Sequence, residues 1–199
     1  MHDLIRAATG SLLLGNDHKL AFDEDFWLSD SAGFWKLENR QDFIEPDSDS
    51  WLAYARGDEA AATRHTAARQ PELADYYRRI DEAGFRTHRV RVVDLPMSPY
   101  LRWEMELLSL RNKSGASIRV VHRAAVEEHE TTAPLPEIAI CGHRAAYILL
   151  YSSEGLLLGS TRYTEETLIR ELRDYIADLH FAGTDLTDFW EDHRPATTT

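Results

Sequence analysis

The stretch from Arg86 to Arg111 constrains the fold more than any other, because it joins a charged strand to a helix carrying an acid on its apolar side. Over Arg86 to Val93 the residues alternate, so Val90 and Val92 share one face of a strand while Arg89 and Arg91 share the other. Leu95-Pro96-Met97-Ser98-Pro99 then turns the chain into a helix. On a helical wheel at about 100° per residue, Tyr100, Leu101, Trp103, Met105, Leu107, Leu108 and Leu110 cover most of the circumference, and Arg102, Glu106 and Ser109 fill a narrow polar side. Glu104 and Arg111 fall inside the apolar arc. A carboxylate taken out of water alone either neutralises or finds a cation, so Glu104 is expected to be buried against Arg89, Arg91 or Arg111. Such a pair can be a salt bridge that locks the strand-to-helix corner. It can also belong to a pocket in which Arg89, Arg91, Tyr100, Trp103, Glu104 and Arg111 meet a polar ligand or a partner.

Around this corner the pattern is of helices first and strands afterwards. Phe34 to Glu38 reads as a short strand. Three helices follow: one with Trp51, Leu52 and Tyr54, capped by Asp49 or Ser50; an alanine-rich one from Asp58 to Arg69; and one from Pro71 to Gly84 that repeats Leu73, Tyr76, Tyr77 and Ile80 at helical spacing. Further strands are expected at Ser117 to Val121, Glu137 to Cys141, Ala145 to Tyr151 and Leu156 to Tyr163, the last two joined into a hairpin by Ser152-Ser153-Glu154-Gly155. Ala145 to Tyr151 is apolar on both faces, which marks a central strand covered from both sides. A closing helix capped by Thr164 carries Leu168, Leu172, Tyr175, Ile176 and Leu179 in helical period as far as Gly183, and a short aromatic run from Leu186 to Trp190 packs back. The fold class is α+β: a single domain over 34–192, helical in its N-terminal half, with helices packed on a mixed, mostly antiparallel sheet. Residues 1–33 read as an acidic-aromatic extension, with a short helix opened by Asp3 and broken by Gly10, Gly15 and Asn16, and residues 193–199 as a disordered tail.

Charge narrows the function classes. The chain of 199 residues has a formal charge of −12, with 13 acids against 5 bases in 1–60, 7 against 12 in 61–123, and 14 against 5 in 124–199. This excess of acid argues against stand-alone binding to a phosphate backbone, which needs Lys and Arg to neutralise phosphates, and it suits a basic protein partner. Phe22-Asp23-Glu24-Asp25-Phe26-Trp27 alternates acids with rings, a pattern that docks on a basic, apolar groove or packs on the chain's own body. Cys141 is the only cysteine, so no internal disulfide forms and the reducing cytoplasm is the expected compartment. The longest apolar run near the N-terminus, Leu12-Leu13-Leu14, is far too short to span a membrane.

Residues able to do chemistry lack the partners that chemistry needs. Cys141-Gly142-His143 sets a thiol beside an imidazole, but no third group orients them. His122, Glu127, Glu128 and His129 are metal-ligand types without a second cluster, and read as an acidic loop before Pro134 and Pro136. No Gly-rich phosphate loop, serine elbow or paired-carboxylate signature is present. No catalytic residue, metal or cofactor is therefore expected.

Phe34-Trp35-Lys36-Leu37-Glu38, Ser50-Trp51, Arg89-Val90-Arg91-Val92-Val93 with Pro96, Tyr100-Leu101-Arg102-Trp103-Glu104 and Leu135-Pro136-Glu137 together resemble an uncharacterised actinobacterial family of unknown function, over about Phe34 to Trp190. Its members resemble the ligand-sensing or partner-binding part of helix-turn-helix regulators and are often encoded beside such regulators of the XRE type. The resemblance implies a non-catalytic regulatory accessory protein that binds a helix-turn-helix regulator, a small ligand or both. A rival reading is a small-molecule enzyme of a secondary metabolic pathway with a pocket near Arg91, Tyr100 and Glu104, and a third is a homodimer joined through Trp27, Trp51 or Trp190. The hairpin region also resembles phospholipase-D-like domains, whose half-site is His, any residue, Lys, four residues, Asp, then Gly-Ser. Here His143 is followed by Arg144 and by Ala145 at the lysine position, Leu150 stands at the aspartate position, and only Gly159-Ser160 remains. That likeness implies a fold kept and a catalysis lost.

Overall fold

A computed structural model describes residues 1–130 and 133–194. In chain order its elements begin with α1 (His2–Ala7), β1 (Ser11–Leu14), α2 (Gly15–Trp27), β2 (Phe34–Glu38), α3 (Asp49–Ala55), α4 (Glu59–Ala68), α5 (Gln70–Glu82) and β3 (Thr87–Val93). They continue with α6 (Pro99–Ser114), β4 (Ser117–His122), β5 (Ile138–Cys141), β6 (Ala145–Tyr151), β7 (Leu157–Tyr163), α7 (Glu166–Ala182), β8 (Thr184–Asp185) and α8 (Leu186–His193). Of the tail expected to be disordered over 193–199, His193 ends α8 and Arg194 pairs with Glu106 at 2.7 Å, which corrects those two positions, and residues from Pro195 onward lie outside the described residues.

Among the described residues, eight strands form one mixed sheet in the order β1-β7-β6-β5-β2-β3-β4-β8, with β2, β3 and β4 parallel and every other neighbour antiparallel. Parallel neighbours need long crossovers. Helices α3, α4 and α5 make the first and α6 the second, which is why the helices gather ahead of most strands. Local chemistry sets the helix starts: the Ser98 hydroxyl accepts from the Leu101 N–H at 3.1 Å with Pro99 in the first turn of α6, and Asp58 accepts from the Ala61 N–H at 2.9 Å at the start of α4. Ser48, rather than Asp49 or Ser50, caps α3. Glu165, rather than Thr164, precedes α7.

Helix α7 covers one face of the sheet, with Leu168, Ile169, Leu172 and Ile176 over Leu37, Val90, Val92, Ile138 and Ile140. The other face carries α2 and α5 over Phe34, Ala139, Cys141, Ala145 and Tyr147, and α6 with α8 over Val93, Ile118 and Val120. Strand β6 lies inside the sheet between β7 and β5, as its two apolar faces require.

Residues 1–33 are not an appendage. Strand β1 pairs with β7 from Ser11 opposite Arg162 to Leu14 opposite Gly159. A Cβ on Gly159 would lie 2.1 Å from the Leu13 carbonyl oxygen, so the glycine serves the approach of β1 as well as the hairpin. The acidic-aromatic run lies on α2 and packs on the chain's own body: Phe22, Phe26 and Trp27 join the core, Asp25 is 2% exposed, and Asp23 and Glu24 stay in solvent. The rings of the expected docking segment are thus packed on the chain's own body, and its exposed acids Asp23 and Glu24 are what it offers to a partner. Trp190 is buried and Trp51 partly buried in the chain's own clusters.

Candidate functional site

At the corner between β3 and α6, Arg91 Nε donates to Glu104 Oε2 at 2.7 Å. Arg91 is 0% and Glu104 5% exposed. Nη1 donates to the Glu38 carbonyl at 3.3 Å and the Val92 carbonyl at 3.1 Å, whereas the buried Nη2 has no hydrogen-bond partner among the described residues. Burial pushes the Glu104 carboxyl up from its ordinary value while Arg91 pulls it back. Tyr100 donates to Glu45 Oε1 at 3.2 Å and Trp103 Nε1 to Ser50 Oγ at 3.1 Å, both packed around Phe43. Arg91, Tyr100, Trp103 and Glu104 are thus all buried, with Tyr100 and Trp103 packed on Phe43 and Arg91 paired with Glu104. Arg111 lines a cavity of about 40 Å³ with Arg89 and Tyr76.

Arg89 is the cation that the corner leaves over. Its Nη1 donates to Glu38 Oε2 at 2.5 Å, and Lys36 Nζ lies 2.5 Å from Glu38 Oε1. Burial opposes ionisation of Glu38, but Arg89 and Lys36 outweigh it and hold the carboxyl well below the usual carboxylate range. Register explains the grouping, since Lys36 on β2 stands opposite Arg89 on β3 and opposite Ala139 on β5. Ala139 is too small to fill the layer above the sheet. A cavity of about 610 Å³ opens there, between α2, α5 and the strands, with Lys36 and Arg89 at its floor. Phe22, Phe26, Phe34, Tyr76, Leu149 and Tyr151 make its walls, while Lys19, Leu20, Asp23 and Leu157 stand at its rim. Three cations, Lys19, Lys36 and Arg89, face it against one carboxylate, Asp23, in a chain of formal charge −12. The sequence contained a signal for this site that went unread: Lys36 and Glu38 share a strand face just as Arg89 and Arg91 do.

Near the cavity wall, His18 Nδ1 lies 2.8 Å from Ser160 Oγ. Burial lowers the imidazole from its ordinary value. Ser160 is fully buried on β7 and does not line the cavity, so the contact ties α2 to the sheet rather than presenting a nucleophile. Asp25 performs a second tie, accepting from Tyr147 OH at 2.6 Å, Arg162 Nε at 2.7 Å and Arg144 Nε at 3.2 Å. Cys141 and His143 do not form a dyad. Burial pushes the Cys141 thiol up to about 12, and the His143 ring reaches Asp30 Oδ2 at 2.8 Å and Arg173 Nη1 at 3.0 Å instead. Among the described residues no group of His, Cys, Asp and Glu could hold a metal ion. Glu137, one row from the cavity, accepts from the Asn39 and Arg40 N–H groups at 2.9 and 2.6 Å through Oε1, whereas its enclosed Oε2 has no hydrogen-bond partner among the described residues. Burial pushes this carboxyl up to about 7.

A family model described as a domain of unknown function, DUF6879, matches residues 21–191. The chain belongs to this family. The DUF6879 span takes in the second half of α2 together with the floor and walls of the cavity, whereas α1, β1, the buried His18 and the rim residues Lys19 and Leu20 precede it. No curated protein matches the chain. Among the described residues of this DUF6879 protein, no helix is long and apolar enough to cross a membrane.

Proposed function

We propose that this DUF6879 protein is a non-catalytic regulatory accessory protein of the cytoplasm that binds a small ligand in the Lys36–Arg89 cavity and a helix-turn-helix transcriptional regulator through its acidic surface. The observation that carries the reading is a cationic cavity, walled by rings and aliphatic side chains, in a strongly acidic chain. Small-molecule sites of about 300–1,000 Å³ are typically apolar with a few placed polar groups, and the cavity of about 610 Å³ has that character. Its imidazole, His18, is committed to a buried serine, which supports binding over turnover. Arg91, Tyr100 and Glu104, the residues of the rival enzyme reading, are buried, which favours the Lys36–Arg89 cavity as the place where a ligand enters.

The regulator half rests on the resemblance to actinobacterial proteins encoded beside XRE-type regulators and on charge, since an acidic surface steers a basic partner. Co-purification from the native host tests it. A regulator should be recovered at low salt, released at high salt, and lost when the exposed acids of α2 are reversed by Asp23→Lys and Glu24→Lys. Recovery indifferent to both would remove the electrostatic docking.

A further inference from the structure

We infer that the cavity takes a small organic monoanion, whose carboxylate is held by Lys36 and Arg89 and whose flat, apolar body lies among the surrounding rings. This deepens the ligand half of the reading above and rests on it.

The charge at the floor sets the anion. Lys36 and Arg89 share one carboxylate at ion-pair distance, Glu38, so two positive charges meet one direct anionic partner, while Glu45 and Glu104 act on them from farther away. Their side chains are only 21% and 18% exposed, which leaves those charges poorly solvated. A ligand carboxylate supplies a second direct partner for the two cations, whereas a dianion sets three negative charges at contact against two positive ones. The donors are also in place. A lysine ammonium has three N–H groups and a guanidinium five, and among the described residues Glu38 accepts one from each. Donors on both side chains are thereby left to bind a ligand carboxylate in charge-assisted hydrogen bonds. Glu38 thereby acts as a positioning residue that fixes both cations from beneath.

The walls set the body. Phe22 meets Phe34 edge-on at 6.1 Å, and Phe26 stacks with Tyr76 at 5.9 Å. Leu149 and Tyr151 on β6 supply further wall, so rings surround the space above the cations. A planar hydrocarbon of one or two rings meets aromatic faces and edges there.

Calorimetric titration of the full chain tests the inference with four probes: 2-naphthoate, the neutral 2-naphthamide, the cationic 2-naphthylmethylammonium, and the dianionic 2-naphthyl phosphate. The expected result is that naphthoate binds at least about ten-fold tighter than naphthamide, the difference made by one or two charge-assisted hydrogen bonds, and tighter than the phosphate, with the ammonium not bound. Lys36→Gln should abolish the preference for naphthoate over the amide. Leu157→Trp, which narrows the rim and leaves every charge in place, should abolish binding of both while the melting temperature stays near wild type. Equal affinity for naphthoate and naphthamide, both lost in Leu157→Trp, would overturn the monoanion and leave the cavity as a ligand site. Tighter binding of the phosphate would overturn it in favour of a phosphorylated ligand. Naphthoate binding untouched by Leu157→Trp would place the anion elsewhere, and no binding of any probe would overturn both the inference and the ligand-binding reading.

Discussion

At Arg91 a guanidinium closed off from solvent depends on Glu104 and on two backbone carbonyls. Removing it strands a carboxylate in the same enclosed space, and breaking a buried pair from one side costs about 3–5 kcal/mol. Arg91→Met should therefore lower the unfolding free energy by about that amount in chemical denaturation. Arg91→Met combined with Glu104→Leu should recover most of it, because neither charge then has to be desolvated. A double variant no more stable than the single one contradicts this. Glu137 makes a prediction of the opposite kind. Its carboxyl is raised in the fold from an ordinary 4.5 to about 7, so the folded protein keeps a proton that the unfolded chain releases. The resulting stability is complete below about pH 4.5 and is lost as pH rises through about 7. Glu137→Gln keeps an acceptor for the Asn39 and Arg40 N–H groups without the ionisation. Its stability relative to wild type should rise between those pH values by on the order of 3 kcal/mol, and parallel pH profiles for the two proteins contradict the assignment. The burial of Glu104 against a cation was legible from the helical wheel, but which of the three arginines answers it was not. That choice follows from how α6 lies on β3, and no periodicity records a crossing geometry.

At the scale of elements, α2 behaves as a structural member. It ties down through Asp25 to Tyr147, Arg162 and Arg144, through His18 to Ser160, and through Phe26 to the core. Removing residues 1–33 uncovers Phe34, Ala139, Cys141, Ala145 and Tyr147 on the sheet. The shortened chain should lose near-ultraviolet circular dichroism and cooperative melting; a sharp two-state melt would show that residues 34–192 fold alone. Strands β2, β3 and β6 were legible because alternation or continuous apolar character reports burial directly. Strand β1 was not, because Leu12-Leu13-Leu14 has no alternation and pairs with a strand far away in sequence. Strand β8 has only two residues, too few for any period. The acids and rings of α2 fit docking on another protein and docking on their own, and only the position of its neighbours separates the two.

Across the whole molecule the uneven charge of the sequence resolves into cross-links between its thirds. Arg89, Arg119 and Arg123 of the basic middle pair with Glu38, Asp185 and Glu130 of the acidic flanks. Lys36 and Arg89 turn positive charge into the cavity of a chain whose formal charge is −12. This separation joins the two halves of the proposed function, with an exterior suited to a basic partner and an interior suited to a small anion. The most direct measurement is a backbone amide chemical-shift map of the full chain titrated with 2-naphthoate. Shifts should concentrate at Phe22, Phe34, Lys36, Arg89, Leu149 and Tyr151. A map that instead lights up the groove between α1 and α7, around Leu4, Leu172 and Asp178, or that shows no localised change at saturating probe, contradicts the assignment of the cavity as the functional site.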